Sequence, residues 1–131
     1  MEARNCTFFS LQTEGEEAAA AELRAGSLRN LGSQFSNFLD TARALSQLDL
    51  VISVDTAVAH LAGAIGIPVW ILLPQAPDWR WLLHRSDSPW YTSVRLFRQN
   101  KPADWTPVID EIILELARLS SASGATETSL A

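Results

Sequence analysis

The segment with the most chemical content is Ser53-Val54-Asp55-Thr56-Ala57-Val58-Ala59-His60. It combines a carboxylate, a hydroxyl, a small residue and an imidazole at the point where an apolar run gives way to a helical pattern. The backbone N–H groups at a helix start, with the helix dipole, favour an anion such as a phosphate. Thr56 can donate its hydroxyl to a phosphate oxygen, and Ala57 is small enough to let a phosphate approach the backbone. His60 follows Thr56 by four residues, so the two share a helix face. That face lies about 200° from Val58, away from the apolar stripe, by the 3.6-residue period. There His60 can reach a bound phosphate or an acceptor hydroxyl. A plainer reading stands beside this one: Asp-Thr after a strand is a common helix cap, and a histidine on a helix face is more often a packing residue. No glycine-rich phosphate loop and no Walker motif is present, so triphosphatase chemistry lacks support.

A second cluster is Pro77-Asp78-Trp79-Arg80-Trp81, with His84, Arg85, Trp90 and Tyr91. Aromatic faces stack on bases or sugars, and arginine pairs with phosphate, which makes Trp79 and Arg80 candidate ligand contacts. The alternative is that these tryptophans simply pin a long loop to the core. Cys6 is the single cysteine, so a disulfide framework and a cysteine-rich metal site are excluded. The two histidines, His60 and His84, argue against a histidine-cluster metal site.

The elements that must position these residues follow from periodicity. Cys6 to Leu11 and Leu28 to Leu31 read as short strands, and 40–48 as a short helix. Leu50-Val51-Ile52-Ser53-Val54 is a nearly continuous β-branched run, the pattern of a strand buried on both faces. Asp55 is placed to N-cap the next helix, and Val58, Leu61, Ala62 and Ile65 form its apolar stripe. Gly66 ends it in a left-handed turn before Pro68. Val69 to Leu73 is a second buried strand. Residues 74–93 are irregular, and a loop of that length inside a compact domain is usually functional or a lid. Val94 to Phe97 is a further strand. Thr106-Pro107 opens a last helix, with Thr106 as cap and Val108, Ile109, Ile112, Ile113 and Leu116 as its apolar face. Residues 120–131 read as a disordered tail.

Strands alternating with helices predict a parallel α/β domain. The chain has 131 residues, of which 47% are hydrophobic and 19% charged, the composition of one globular domain. Net charge is −5 and is unevenly placed: −4 over residues 1–59, +3 over 60–101 and −4 over 102–131. An acidic chain is a poor general nucleic-acid binder. The most apolar stretch, 57–73, is broken by His60, Gly66 and Pro68 and is too short for a membrane span of about 20 residues. With no signal peptide visible, the expectation is a cytoplasmic protein without a membrane span.

Asp49 to Ala64, with the Asp55-Thr56-Ala57-Val58-Ala59-His60 core, resembles the nucleotide-binding half of glycosyltransferase family 9, the heptosyltransferase-like family. Asp78-Trp79-Arg80-Trp81-Leu82, Ser88-Pro89-Trp90-Tyr91 and Arg95-Leu96-Phe97-Arg98-Gln99 are similar to a subgroup: bacterial tetratricopeptide-repeat proteins that end in such a domain. The likeness spans residues 8–119. It implies a Rossmann-like parallel sheet with flanking helices, the C-terminal, donor-binding half of a GT-B architecture. It places Asp55, Thr56 and Ala57 at the diphosphate of an ADP-, UDP- or GDP-linked sugar, with His60 beside them as a catalytic candidate. The implied chemistry is glycosyl transfer with a nucleoside diphosphate leaving group and no required metal or cofactor. Three departures stand out. The family's acceptor half and the opening strand of its donor half find no counterpart in these residues, so the expectation for residues 1–119 is a Rossmann-like domain lacking its first strand. Thr92 also stands where the subgroup has proline after Trp-Tyr. An exposed sheet edge would invite a missing half or self-association. The alternative function is therefore a non-catalytic interaction module derived from a glycosyltransferase domain.

Overall fold

The computed structural model describes residues 6–12, 28–122 and 128–130. In chain order these form β1 (Cys6–Ser10), β2 (Leu28–Asn30), a 3-10 turn (Gly32–Gln34), α1 (Phe38–Leu45), β3 (Val51–Val54) and α2 (Ala57–Ala64). Then come β4 (Val69–Leu73), a second 3-10 turn (Trp79–Trp81), β5 (Val94–Arg98), α3 (Thr106–Ala122) and β6 (Thr128–Leu130).

All strand pairs are parallel. β3, β4 and β5 form one three-stranded sheet, in which Val51 lies opposite Val69 and Val69 opposite Val94. β2, β1 and β6 form another, in which Phe8 pairs with Leu28 and Cys6 with Thr128. Alternation along each strand sorts the side chains into two cores. Val51, Val69, Ile71, Leu73, Val94 and Leu96 meet Leu45, Leu48, Ala59, Ala62 and Trp81 on one face. Leu50, Trp70 and Phe97 meet Val108, Ile112 and Leu116 of α3 on the other. β1 obeys the same division: Phe9 and Leu11 pack on the first core, Cys6 and Phe8 on the second. The two sheets are therefore parts of one interrupted layer, covered by helices on both sides. This is a Rossmann-like arrangement. Burial pushes the Cys6 thiol above its ordinary value, which makes it a poor nucleophile.

Several local expectations are corrected. α2 fully buries Ala59, Ala62 and Gly63; Val58 and Leu61, half-buried, pack against the same core as expected, and Ile65 is 42% exposed. Small residues let the helix lie close to the sheet, so the bulky ones are displaced to its flanks. A Cβ on Gly63 would come within 2.8 Å of the Tyr91 ring, which shows how tight that contact is. β3 is buried at Val51 but Val54 is 50% exposed, because the strand end opens on a groove. α1 begins at Phe38, capped by Asn37, whose side chain accepts from the Asp40 N–H at 3.0 Å. Asp104, not Thr106, caps α3: its Oδ1 accepts from the Thr106 N–H at 3.2 Å. Gly66 has φ +82°, the left-handed stop expected for it. Where a tail was expected from residue 120, α3 continues to Ala122 and Thr128–Leu130 pairs with β1; residues 123–127 and 131 lie outside the described ones.

α3 is tied to β5 by Arg95. Its guanidinium lies over the rings of Trp70 and Phe97 and donates to Glu115 at 2.9 Å, while Arg118 donates to the other oxygen of Glu115 at 2.6 Å. The Arg95 hydrogen bond, then the surrounding positive charge, holds the Glu115 carboxyl below the usual carboxylate range. A depressed folded value means that the ion pair stabilises above the ordinary carboxylate range. That contribution is lost as pH falls through the depressed value. Glu115→Gln is thus expected to flatten the acid limb of a plot of Tm against pH. An unchanged limb would show that the Arg95 contact does not hold α3 on the sheet.

Candidate functional site

β3 ends at Val54 and α2 begins at Ala57, so the turn between them stands at the carboxyl end of a parallel sheet. That is where open α/β folds bind ligands. A groove of about 1120 Å³ opens there. One wall is the end of β1 (Phe9 to Gln12) and the other is β3 with Thr56, Ala57 and Val58. The approach to α1, Phe35 to Phe38, closes the third side. Gly32 is seated against the β1 end, since a Cβ there would lie 2.1 Å from the Gln12 carbonyl oxygen.

The turn splits its polar residues between two sides. Thr56 is the N-cap residue of α2 but makes no capping bond; its hydroxyl is 3.0 Å from the Ser53 hydroxyl. Asp55, expected to cap the helix, is drawn away from it. One carboxylate oxygen accepts from the Trp81 indole N–H at 2.9 Å, and the other lies 2.9 Å from His60 Nε2. His60 Nδ1 is 3.2 Å from the Tyr91 hydroxyl, and its ring stacks on Trp81 at 5.2 Å with 28° between planes. All three groups are satisfied when Nε2–H donates to Asp55 and the Tyr91 O–H donates to Nδ1. Asp55, His60, Trp81 and Tyr91 therefore form one clip between the α2 start and the loop of residues 74–93.

The loop is held at several further points. Arg98 donates to the carbonyls of Arg85, at 2.9 Å, and of Trp81. Trp90 donates its indole N–H to the Arg80 carbonyl at 2.9 Å, and Arg85 makes a two-pronged bond to Asp87. Leu82 and His84 take left-handed φ values of 54° and 59°, a strain these anchors hold in place. Trp79 and Trp90 meet edge to face and remain 67% and 58% exposed, with Arg80 over the Trp79 ring at 5.2 Å.

Of the residues singled out from sequence, Thr56 and Ala57 line the groove. Asp55 and His60 face the loop instead, and Trp79 and Arg80 lie on the exposed side of that loop, away from the groove lining. Trp81, the partner of Asp55, and Tyr91, the partner of His60, were legible only as members of an aromatic cluster. Ser10, Gln12 and Asn37 complete the groove mouth, and nothing in their local sequence marks them. Among the described residues no His/Cys/Asp/Glu cluster is arranged to hold a metal ion, and no helix is long and apolar enough to cross a membrane.

A parallel sheet covered on both faces, with a groove and a helix start at its carboxyl end, defines a Rossmann-like domain. Residues 2–110 match glycosyltransferase family 9 (heptosyltransferase), and the chain belongs to that family. It is also 35% identical over 77 residues to Protein FlbA of Caulobacter vibrioides. That alignment covers 59% of this chain and 13% of FlbA, so the chain spans only a small part of the relative's length. No solved structure matches it.

Proposed function

We propose that this chain is the donor-binding domain of a GT-B glycosyltransferase, taking an ADP-, UDP- or GDP-linked sugar with its diphosphate at the start of α2. The observation that carries this reading is the uncapped helix end. The His60 N–H is the first to reach back along the helix, to the Thr56 carbonyl at 3.2 Å. The N–H groups of Ala57, Val58 and Ala59 precede that bond. Asp55 is occupied by Trp81 and His60, and Thr56 makes no capping bond. Donors are thus left at a groove wall formed by Thr56, Ala57 and Val58.

In glycosyl transfer the bond from the anomeric carbon to the diphosphate oxygen breaks, and the acceptor hydroxyl oxygen bonds to that carbon. The diphosphate leaves with the electron pair, and N–H donors aimed at it stabilise the charge as it develops. Thr56 adds a hydroxyl to the same oxygens. His60 is a positioning residue in this reading: it holds the Asp55 carboxylate off the helix end. The same reading places the domain at the C-terminal end of a longer, cytoplasmic bacterial tetratricopeptide-repeat protein; the small share of FlbA that aligns is in keeping with a domain of a larger chain.

Calorimetric titration with ADP, UDP and GDP tests the site. One diphosphate is expected to bind, and Thr56→Val to weaken it about tenfold, or about 1.4 kcal/mol. Equal affinity in wild type and variant would remove Thr56 from the site. No response to any of the three would remove the donor reading.

A further inference from the structure

We propose that the groove between β1 and β3 accepts one extended apolar polypeptide segment as an added parallel strand, which joins the two three-stranded sheets into one. This does not rest on the donor reading.

The backbone supplies the first argument. The Val51 N–H donates to the Pro68 carbonyl at 2.9 Å, on the β4 side. Consecutive residues of a strand direct their backbone groups to alternate sides, so Ile52 and Val54 direct theirs into the groove. On the opposite wall the Ser10 carbonyl accepts from the Leu31 N–H, on the β2 side, at 2.9 Å. Phe9 and Leu11 therefore face the groove. β6 covers the adjacent edge only from Cys6 to Phe8. Among the described residues no strand pairs with Ile52 and Val54, or with β1 beyond Phe8 on that side. Two unpaired edges facing one groove have hydrogen-bonding capacity for a strand between them.

The cores supply the second. Phe9 and Val51 belong to the core on one face, Phe8 and Ile52 to the core on the other. A segment lying between them meets apolar surroundings above and below. It must be apolar at successive positions, not at alternate ones. The carboxyl ends of β1 and β3 open on the same mouth, which sets the parallel sense. The groove, about 1120 Å³, lies at the upper end of the roughly 300–1,000 Å³ range of small-molecule pockets and has the volume for a short strand. A second folded copy is the poorer match, because the strand it offers would have to leave its own sheet to pair on both sides. Thr128-Ser129-Leu130, polar at two of three positions, already takes rungs on β1 and is the segment a better-matched strand displaces.

The test uses a short peptide with a Val-Ile-Val-Leu core between flanking lysines, added to the full chain, with amide exchange read by NMR. Exchange at Ile52 and Val54 is expected to slow at least about tenfold. The same peptide N-methylated at alternate residues cannot form the ladder, and one with aspartate at alternate core positions buries charge on one face; both are expected to give no slowing. No slowing with the first peptide, or equal slowing with the N-methylated one, overturns the proposal. ADP, UDP and GDP are titrated into the same sample. Peptide protection without a nucleotide response leaves the strand site standing and removes the donor reading; the reverse result does the opposite.

Discussion

Trp81→Ala is expected to lower stability by about 3–5 kcal/mol, the cost of truncating a large buried aromatic. In a domain of this length that corresponds to a fall in Tm of roughly 10–20 °C. Trp81 is fully buried in the core that also holds Leu45, Val69 and Ile71. It carries three further connections: the indole N–H to Asp55, the ring stack on His60, and its carbonyl to Arg98. Its removal leaves a cavity beneath the loop of residues 74–93 and takes away the loop's central anchor. Trp79 and Trp90, already exposed, are expected to become more accessible to acrylamide quenching before global unfolding. Thermal unfolding and quenching measured together check this. A fall of only a few degrees with unchanged quenching would show that Arg98 and Tyr91 hold the loop without Trp81.

Asp55→Ala is expected to cost about 2–3 kcal/mol, since it strips the partner from a buried indole N–H and from His60 at once. Its effect should depend on Trp81. In a Trp81→Phe background, where the indole donor is gone, part of the penalty disappears, so the double-mutant cycle is expected to show a coupling of about 1 kcal/mol or more. Additive single effects would place Asp55 outside the clip. The same variant separates two roles for this carboxylate. If Asp55 is a clip residue, Asp55→Ala weakens nucleotide binding only as far as the α2 start moves. If the carboxylate instead faces the bound diphosphate, the two anions repel and its removal strengthens binding while the fold is intact.

The sheet and helix order was legible in the sequence because it rests on local physics. The β-branched runs at 51–54 and 69–73 make strands wherever they are covered, and Gly66 before Pro68 leaves few ways to end α2. The place of Thr56 and Ala57 at the end of β3 was legible for the same reason, because a strand-to-helix turn positions its own next residues. The centre of the face that α2 buries was not, although Val58, Leu61 and Ala62 do meet the core. Periodicity ranks residues by hydrophobicity, whereas close packing on the sheet selected the small ones, Ala59, Ala62 and Gly63.

By itself, then, the sequence determined the parallel α/β class, the helix stop at Gly66 and the membership in glycosyltransferase family 9 that residues 2–110 carry. Only the tertiary structure decided that Asp55 and His60 turn toward Trp81 and Tyr91 while Thr56 and Ala57 face the groove. It also decided that β1 and β3 stand apart, with no strand among the described residues pairing β3 on the groove side or β1 beyond Phe8. Short-range propensities act over one turn or one strand. Partners 26 and 31 residues apart, as Asp55–Trp81 and His60–Tyr91 are, meet only when the whole layer closes over a shared core.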